Sequence, residues 1–549
     1  MGVASSIQIS PIRLGALPIV GKFADTLRVQ SAFERVGSDK REKIPVPRTL
    51  LIILYNIILE RFPLYKIGQW AEEKNLVAKE LEKSLNDDRV GRALDRLFEA
   101  DRASIISEIV LTAIGEFKLS TDRVHNDSTT VTLTGSYEGY EGSRAAKPAR
   151  GHNKDHRPDL KQLLYSLSVL GDEAVPIYFK VWDGNVTDDT THIRNWMALR
   201  GLLGRVDFIY ICDCKLCTRE NMEFIDSEGG FFITVLPQTR AEDKRFKDWI
   251  QDHNPEWQEA LRSKSKRKYG RHNVYWTFEC PFLSTEGFRI IWVKSSQKQK
   301  IDEENRTERI KKTEEELNDI SDRIRRNRQK FEHAIHDILK THGTAEYFHW
   351  QIYTDTVPDF KQEHKGRPTS STRYRKIEKH SYRLVYSHNQ DTIRYRARCD
   401  GIFPLITNRK KDPAKEILKA YKYQPRLEKR HEQFKTVYEV APVFIKNPAR
   451  IEALLFLYFI ALLITSLIER QVRLAMAEQN LPSIPIYPEQ RECRKPKADK
   501  LLELFRDVRL HRVSNGTGDH TIADSLSDIQ SLVLSLVKIR PDKFFDAAC

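Results

Sequence analysis

Three acidic residues could act together on one cation. Asp127 lies inside the β-branched, alternating run RVHNDSTTVTLTG (residues 123–135), although aspartate is disfavoured in strands. Asp213 closes the apolar run DFIYIC. Glu428 follows Pro425, and proline suits the first position of a helix, so Glu428 falls in a first helical turn. Two strand aspartates and a helix glutamate converging on one point cannot all stay ionised without a cation to neutralise them. Hard carboxylate oxygens select Mg²⁺ or Mn²⁺. A pair of such ions activates a water or a 3′-hydroxyl and steadies the leaving oxygen of a phosphodiester. Taken singly, each residue has a plainer role: a strand-end aspartate serves turns and caps, and a first-turn glutamate answers the helix dipole.

The segment YICDCKLCTREN (210–221) offers a rival chemistry, because Cys212, Cys214 and Cys217 surround Asp213 in C-x-C-x-x-C order. A four-cysteine zinc site needs a second pair nearby, and Cys280, Cys399, Cys493 and Cys549 are each isolated in sequence. Cys212 then continues a buried strand as a small apolar residue. His152 and His156 in GHNKDHRPD are four apart, but they sit in a polar, proline-ended loop, which favours a loop role over a metal role. Asp183, Asp188 and Asp189 in DGNVTDD could lend a supporting carboxylate; turn and helix-cap duties are the preferred reading.

The elements that must position these residues are legible as patterns. Residues 1–118 carry apolar side chains at three- and four-residue spacing and read as a helical domain suited to DNA binding, with Asn86 or Asp87 as a cap. From 119 to 237 the texture is α/β. Strands at 123–135 and 162–185, the latter folded by a turn at Gly171-Asp172, precede a helix at 186–203 capped near Thr187 or Asp188. A buried strand at 205–213, a short helix at 218–227 and a strand at 229–237 follow. Residues 238–405 interrupt this order with strands, basic loops and a long helix whose Ile310, Leu317, Ile324, Phe331 and Ile338 recur every seven residues. Its second seam, Thr313, Ile320, Asn327 and Ala334, is half polar, so the stripe reads as intramolecular packing. The core pattern resumes over 406–478 after a strand at 398–408, with helices at 424–440 and 447–478, and 479–549 reads as a basic tail with a helix at 523–538.

Length and charge narrow the class. The 549 residues exceed one core and predict roughly two to four domains. Net charge is +14, which makes nucleic acid the leading partner. Seven cysteines fit a reducing compartment without a disulfide framework, and the first residues lack the order of a secretory signal. The apolar run ALLFLYFIALLITSLI (453–468) is short for a membrane span and bracketed by Arg450, Glu452, Glu469 and Arg470, so it reads as a buried helix. The stretches SKSKRKYGRHN, KGRPTSSTRYRK and TNRKK interleave basic and stacking residues in a manner suited to DNA contact.

Around the last acidic residue, Tyr421, Gln424, Glu428 and Lys435 match in spacing a Tyr-Arg-Glu-Lys signature, with Gln424 in place of the arginine. Together with NDSTTV, GHNKDHRPDLKQLLYSL, DGNVTDD, DGIFPLITN, LGALPIV and LNDDRVGRALDRLF, this resembles the bacterial insertion-sequence transposases of the DDE superfamily over nearly the whole chain. The resemblance implies an α/β, ribonuclease-H-like catalytic core with an inserted, mainly β domain and a helical N-terminal domain. It implies Asp127, Asp213 and Glu428 as catalytic metal ligands for two Mg²⁺ or Mn²⁺ ions, and Tyr421, Gln424 and Lys435 as DNA contacts. It further implies cleavage at transposon ends and strand transfer into target DNA, by a homodimer acting in the bacterial cytoplasm at the nucleoid. Glu428 and Lys435 are two α-helical turns apart and would share a face, with Glu432 as a reserve carboxylate. Two other classes stay open: a non-catalytic DNA-binding protein, such as a degenerate transposase acting as a repressor, and a zinc-dependent binding module.

Overall fold

A computed structural model describes residues 8–137, 144–264, 272–321, 327–438, 445–514 and 519–546. The chain forms a mixed α/β fold in two units, one made of Met1–Thr234 and Ala420–Cys549, the other of Val235–Lys419. In the first unit, strand β1 (Gln8–Ile12) precedes six helices: α1 (Leu17–Thr26), α2 (Val29–Glu34), α3 (Val46–Leu59), α4 (Ile67–Glu73), α5 (Asp87–Glu99) and α6 (Arg102–Phe117). Side-chain oxygens start the last two. Asn86 accepts the Arg89 N–H at 3.0 Å, and Asp101 accepts that of Ser104 at 3.2 Å. Helix α3 is apolar nearly all round and is buried accordingly.

The α/β texture after residue 120 becomes β2 (Arg123–Leu133), β3 (Lys161–Leu170), β4 (Pro176–Trp182), α7 (His192–Leu203), β5 (Ile209–Ile211), α8 (Arg219–Ser227) and β6 (Phe231–Val235). The strands lie in the order β4-β3-β2-β5-β6. The first three are antiparallel; β5 runs parallel to β2, and β6 parallel to β5. The strand expected at 205–213 shrinks to three residues, because its first part is spent on a surface pair, Arg205 to Asp207 at 2.6 Å. Thr187 makes no side-chain cap. A 3₁₀ turn, Asp188–Thr191, leads into α7 instead.

The second unit holds α9 (Ala241–Asp252), β7 (Gln258–Lys264), β8 (His272–Glu279), β9 (Arg289–Ser295), α10 (Ser296–Ser321), α11 (Arg328–His342), β10 (Phe348–Gln362), β11 (Tyr374–His388), α12 (Gln390–Cys399), β12 (Ile402–Thr407) and most of α13 (Ala414–Tyr421). It is therefore α/β rather than mainly β. Strands β12-β9-β8-β7 form an antiparallel set, and β10 and β11 pair as a separate two-stranded ribbon. The single long helix read from the heptad is two helices. Asn327, a residue of the polar seam, accepts the Lys330 N–H at 3.0 Å and starts α11 afresh. Leu317 and Ile320 of α10 then pack with Phe331, Ile335 and Leu339 of α11 and with Tyr347, Phe348 and Leu384 in one buried cluster. Ile324 lies outside the described residues, as does most of the basic run at 263–273. KGRPTSSTRYRK forms the exposed tip of the β10–β11 ribbon.

Back in the first unit, α14 (Pro425–Glu432) passes into a π-helical turn over Gln433–Val437. Helix α15 (Pro448–Glu478) is long and apolar enough to cross a membrane, yet 94% of that apolar window is buried in the protein. Its Phe459 stacks on Phe179 of β4 at 4.9 Å, and its Arg450 pairs with Asp95 of α5 at 2.7 Å. Strands β13 (Ile484–Tyr487) and β14 (Arg491–Cys493), helix α16 (Ala498–Glu503), strands β15 (Leu510–Ser514) and β16 (Asp519–Ala523), and α17 (Asp528–Leu536) complete the chain. The tail is thus more than a helix. Strand β15 pairs with β1, so the N-terminal region, read as wholly helical, also contributes a strand.

Candidate active site

Strand register brings the two aspartates to one place. Parallel pairing of β2 with β5 runs from Arg123 opposite Ile209 to His125 opposite Ile211. Asp127 and Asp213 each lie two residues past that last pair. Around Asp213 the backbone is fixed: its carboxylate accepts the Lys215 N–H at 2.9 Å, and its carbonyl accepts the Thr234 hydroxyl. Burial raises both carboxyls above the ordinary aspartate range. For Asp213 the neighbouring charges of Asp127 and Asp188 add to the rise; for Asp127, Lys154 opposes it and Asp188 adds.

The loop GHNKDHRPD crosses this place and is tied to β2 by side chains that alternate along the strand. Thr130 Oγ1 accepts the Lys154 backbone N–H at 3.1 Å, and the Thr132 hydroxyl donates to Asp155 Oδ2 at 3.0 Å. Ser128 Oγ donates to Asp188 Oδ1 at 2.6 Å. Lys154 Nζ donates to the Ser128 carbonyl at 2.6 Å and stands 3.2 Å from Asp188 Oδ2 and 3.9 Å from Asp127 Oδ1. Two glycines allow the approach: a Cβ on Gly151 would meet the Gly184 carbonyl, and one on Gly184 would meet the Gln162 carbonyl. Asp188, read as a turn residue, is thus part of the carboxylate group. His152 and His156 take no part in it.

Helix α14 packs against β2 beside these carboxylates. Its Leu427, Arg430 and His431 are buried, whereas Glu428 and Glu432 are exposed. His431 Nε2 lies 3.8 Å from Asp127 Oδ2, and burial with Lys154 and Lys435 nearby lowers the imidazole to about 3, so the ring is neutral. No sequence signal marked His431, since one more polar residue in EKRHEQ looks like solvated helix. Tyr421, at the end of α13, is raised by burial and by the charges of Asp213, Cys214, Glu428 and Asp127, so its hydroxyl senses all three expected acids. Lys435 Nζ pairs with Asp155 Oδ1 at 2.6 Å. The π-helical turn that carries Lys435 breaks the two-turn α-helical relation expected between it and Glu428.

Gln424, expected as a DNA contact, turns its side chain into the protein. It is 7% exposed, accepts from His125 Nδ1 at 3.0 Å and donates to the Asn126 carbonyl at 3.2 Å. An amide can accept and donate at once; the arginine of the signature cannot accept. Gln424 therefore fastens the start of α14 to β2, beside Asp127. Burial holds His125 down to about 4, although its bond to Gln424 pulls the other way.

The donor chemistry suits a hard divalent cation: carboxylate oxygens, desolvated, with charges that oppose one another. Among the described residues no three His, Cys, Asp or Glu side chains are already gathered as a ligand set, and the cation within the group is the Lys154 ammonium. Cys212 and Cys217 are buried and Cys214 half-buried; burial raises the thiols of Cys212 and Cys214, and the adjacent Asp213 raises both further.

Comparison with known proteins adds little that is specific. Residues 9–111 match a domain of unknown function, DUF4277. No curated protein matches the chain. Among solved structures, the Mos1 transposase paired-end complex with left transposon end aligns at 14% identity over 35% of this chain and 71% of that one, with a TM-score of 0.14, a likeness too slight to bear on the fold.

Proposed function

We propose that the protein is a DNA transposase of the DDE type, cutting phosphodiesters at transposon ends and joining them to target DNA. The observation that carries this reading is the register of β2 with β5, which sets Asp127 and Asp213 equally far past their last pair. The order β4-β3-β2-β5-β6, antiparallel and then parallel, supports a ribonuclease-H-like core. Asp127, Asp213 and Glu428 would hold divalent cations, with Asp188 in support. Such ions activate the attacking hydroxyl and neutralise the leaving oxygen. The chain's own part is to hold the carboxylates ready: Gln424 and His125 fix the strand beside Asp127, and Lys215 and Thr234 fix Asp213. Lys435, now held by Asp155, is the cation that an arriving phosphate would take over. The net charge of +14 supports a polyanionic partner.

The test is nicking of DNA carrying the element's ends, by purified protein with Mn²⁺. Asp213→Asn should abolish nicking and leave binding intact. Normal cutting by that variant would refute the assignment of Asp213. Binding without cutting, across metals and end sequences, would favour a non-catalytic end-binding protein instead.

A further inference from the structure

Lys154 occupies an unusual position for a loop lysine. Its ammonium lies within ion-pairing distance of both Asp127 and Asp188, and it is anchored by donation to the Ser128 carbonyl at 2.6 Å and the Ser128 hydroxyl at 3.3 Å. Its backbone is held as well, because its N–H is bonded to Thr130 and the flanking Asn153 and Asp155 are both bonded to Thr132. Asp188 is oriented towards it by Ser128. Surface lysines gain little from such pairs and keep their side-chain freedom. Here the side chain is fixed at the point where desolvated carboxylates would otherwise repel.

We propose that Lys154 is the built-in counter-ion of this carboxylate group and competes with a divalent cation for the oxygens of Asp127 and Asp188. The inference rests on the metal-dependent reading above. The ammonium offsets the repulsion among Asp127, Asp188 and Asp213, and it must withdraw for a divalent ion to enter. Two cations a few ångströms apart repel strongly at the partial burial of this site. Withdrawal is feasible because only hydrogen bonds and ion pairs hold the ammonium, and a four-carbon stem can swing away once they are replaced. Lys154 thus acts as a positioning residue that sets the affinity and selectivity of the site.

The experiment titrates MnCl₂ into the full-length protein without DNA, reading bound Mn²⁺ by electron paramagnetic resonance and stability by thermal melting. Lys154→Met should bind Mn²⁺ at least about tenfold more tightly than wild type. It should melt lower without the ion and gain more than wild type when the ion is added. Lys154→Gln removes the same charge while keeping a polar group, and should behave alike if the methionine variant folds poorly. Asp127→Asn in either background should abolish the tight binding. Equal or weaker Mn²⁺ binding by both Lys154 variants, with loss on Asp127→Asn, would overturn the counter-ion role and leave the metal site standing. Binding that survives Asp127→Asn would also overturn it, since the ion would sit elsewhere. No Mn²⁺ binding by any variant would overturn both this inference and the reading it rests on.

Discussion

Gln424→Leu separates a buried fastening from a DNA contact. Leucine fills nearly the same volume but neither accepts from His125 Nδ1 nor donates to the Asn126 carbonyl, bonds of 3.0 and 3.2 Å in the native protein. Both partners are buried, and His125 Nε2 has no protein partner that could compensate. A buried hydrogen bond contributes about 1 kcal/mol net, and an orphaned donor or acceptor costs about 1–3 kcal/mol. The two losses together should destabilise the first unit by about 2–4 kcal/mol, which for a unit of this size lowers its melting temperature by roughly 3–6 °C. Melting is followed by circular dichroism, and affinity for a generic DNA duplex by fluorescence anisotropy well below the transition. The expected result is a clear fall in melting temperature with affinity unchanged. A phosphate contact would give the reverse, namely unchanged melting and an affinity weakened by about 1 kcal/mol. That reverse pattern would refute the placement of Gln424 against β2.

Two further outcomes follow from the ion pairs. In the second unit, Arg240 grips Glu242 through bonds of 3.1 and 2.8 Å, and Thr285 adds two more at 2.9 and 2.8 Å, holding the Glu242 carboxyl at about 2. A carboxyl held low stabilises the fold above its ordinary value of 4.5 and loses that contribution as pH falls towards 2. Glu242→Gln should therefore cost about 1–2 kcal/mol near neutrality once solvent screening is allowed for, and the gap to wild type in urea midpoint should narrow between about pH 5 and about pH 3. In the first unit, Lys435→Ala and Asp155→Ala should each loosen the loop that carries Lys154. A double-mutant cycle on urea stability should return a coupling of about 0.5–1 kcal/mol, and additive effects would show that the 2.6 Å pair contributes nothing.

Much of the scaffold could be read in advance because it is locally determined. Alternation marked β2, the Gly171-Asp172 turn separated β3 from β4, Asn86 capped α5, and Pro425 opened α14. The apolar run at 453–468 became a buried helix, as its charged flanks implied. What escaped notice depends on partners far away in sequence. β1 is stabilised by β15 from the other end of the chain, and no local pattern announces such pairing. The heptad ran on through Asn327 because a repeat of apolar residues says nothing of an asparagine that can restart a helix.

The candidate site divides along the same line. Asp127 could be singled out because an aspartate is out of place in a strand, and Asp213 because it closes an apolar run, features visible within a few residues. Asp188 and His431 carried no such feature, since an aspartate before a helix and a histidine in a charged helix are ordinary. Only the fold sets one against Lys154 and the other 3.8 Å from Asp127. Gln424 shows the limit of spacing as evidence. A position in the turn before a helix faces outward or faces the core according to what lies behind it, and here His125 and Asn126 lie behind it. The departure from arginine is then a consequence of burial: next to a neutral histidine and a main-chain carbonyl, one amide satisfies both, whereas a guanidinium would bring an added charge into a buried place.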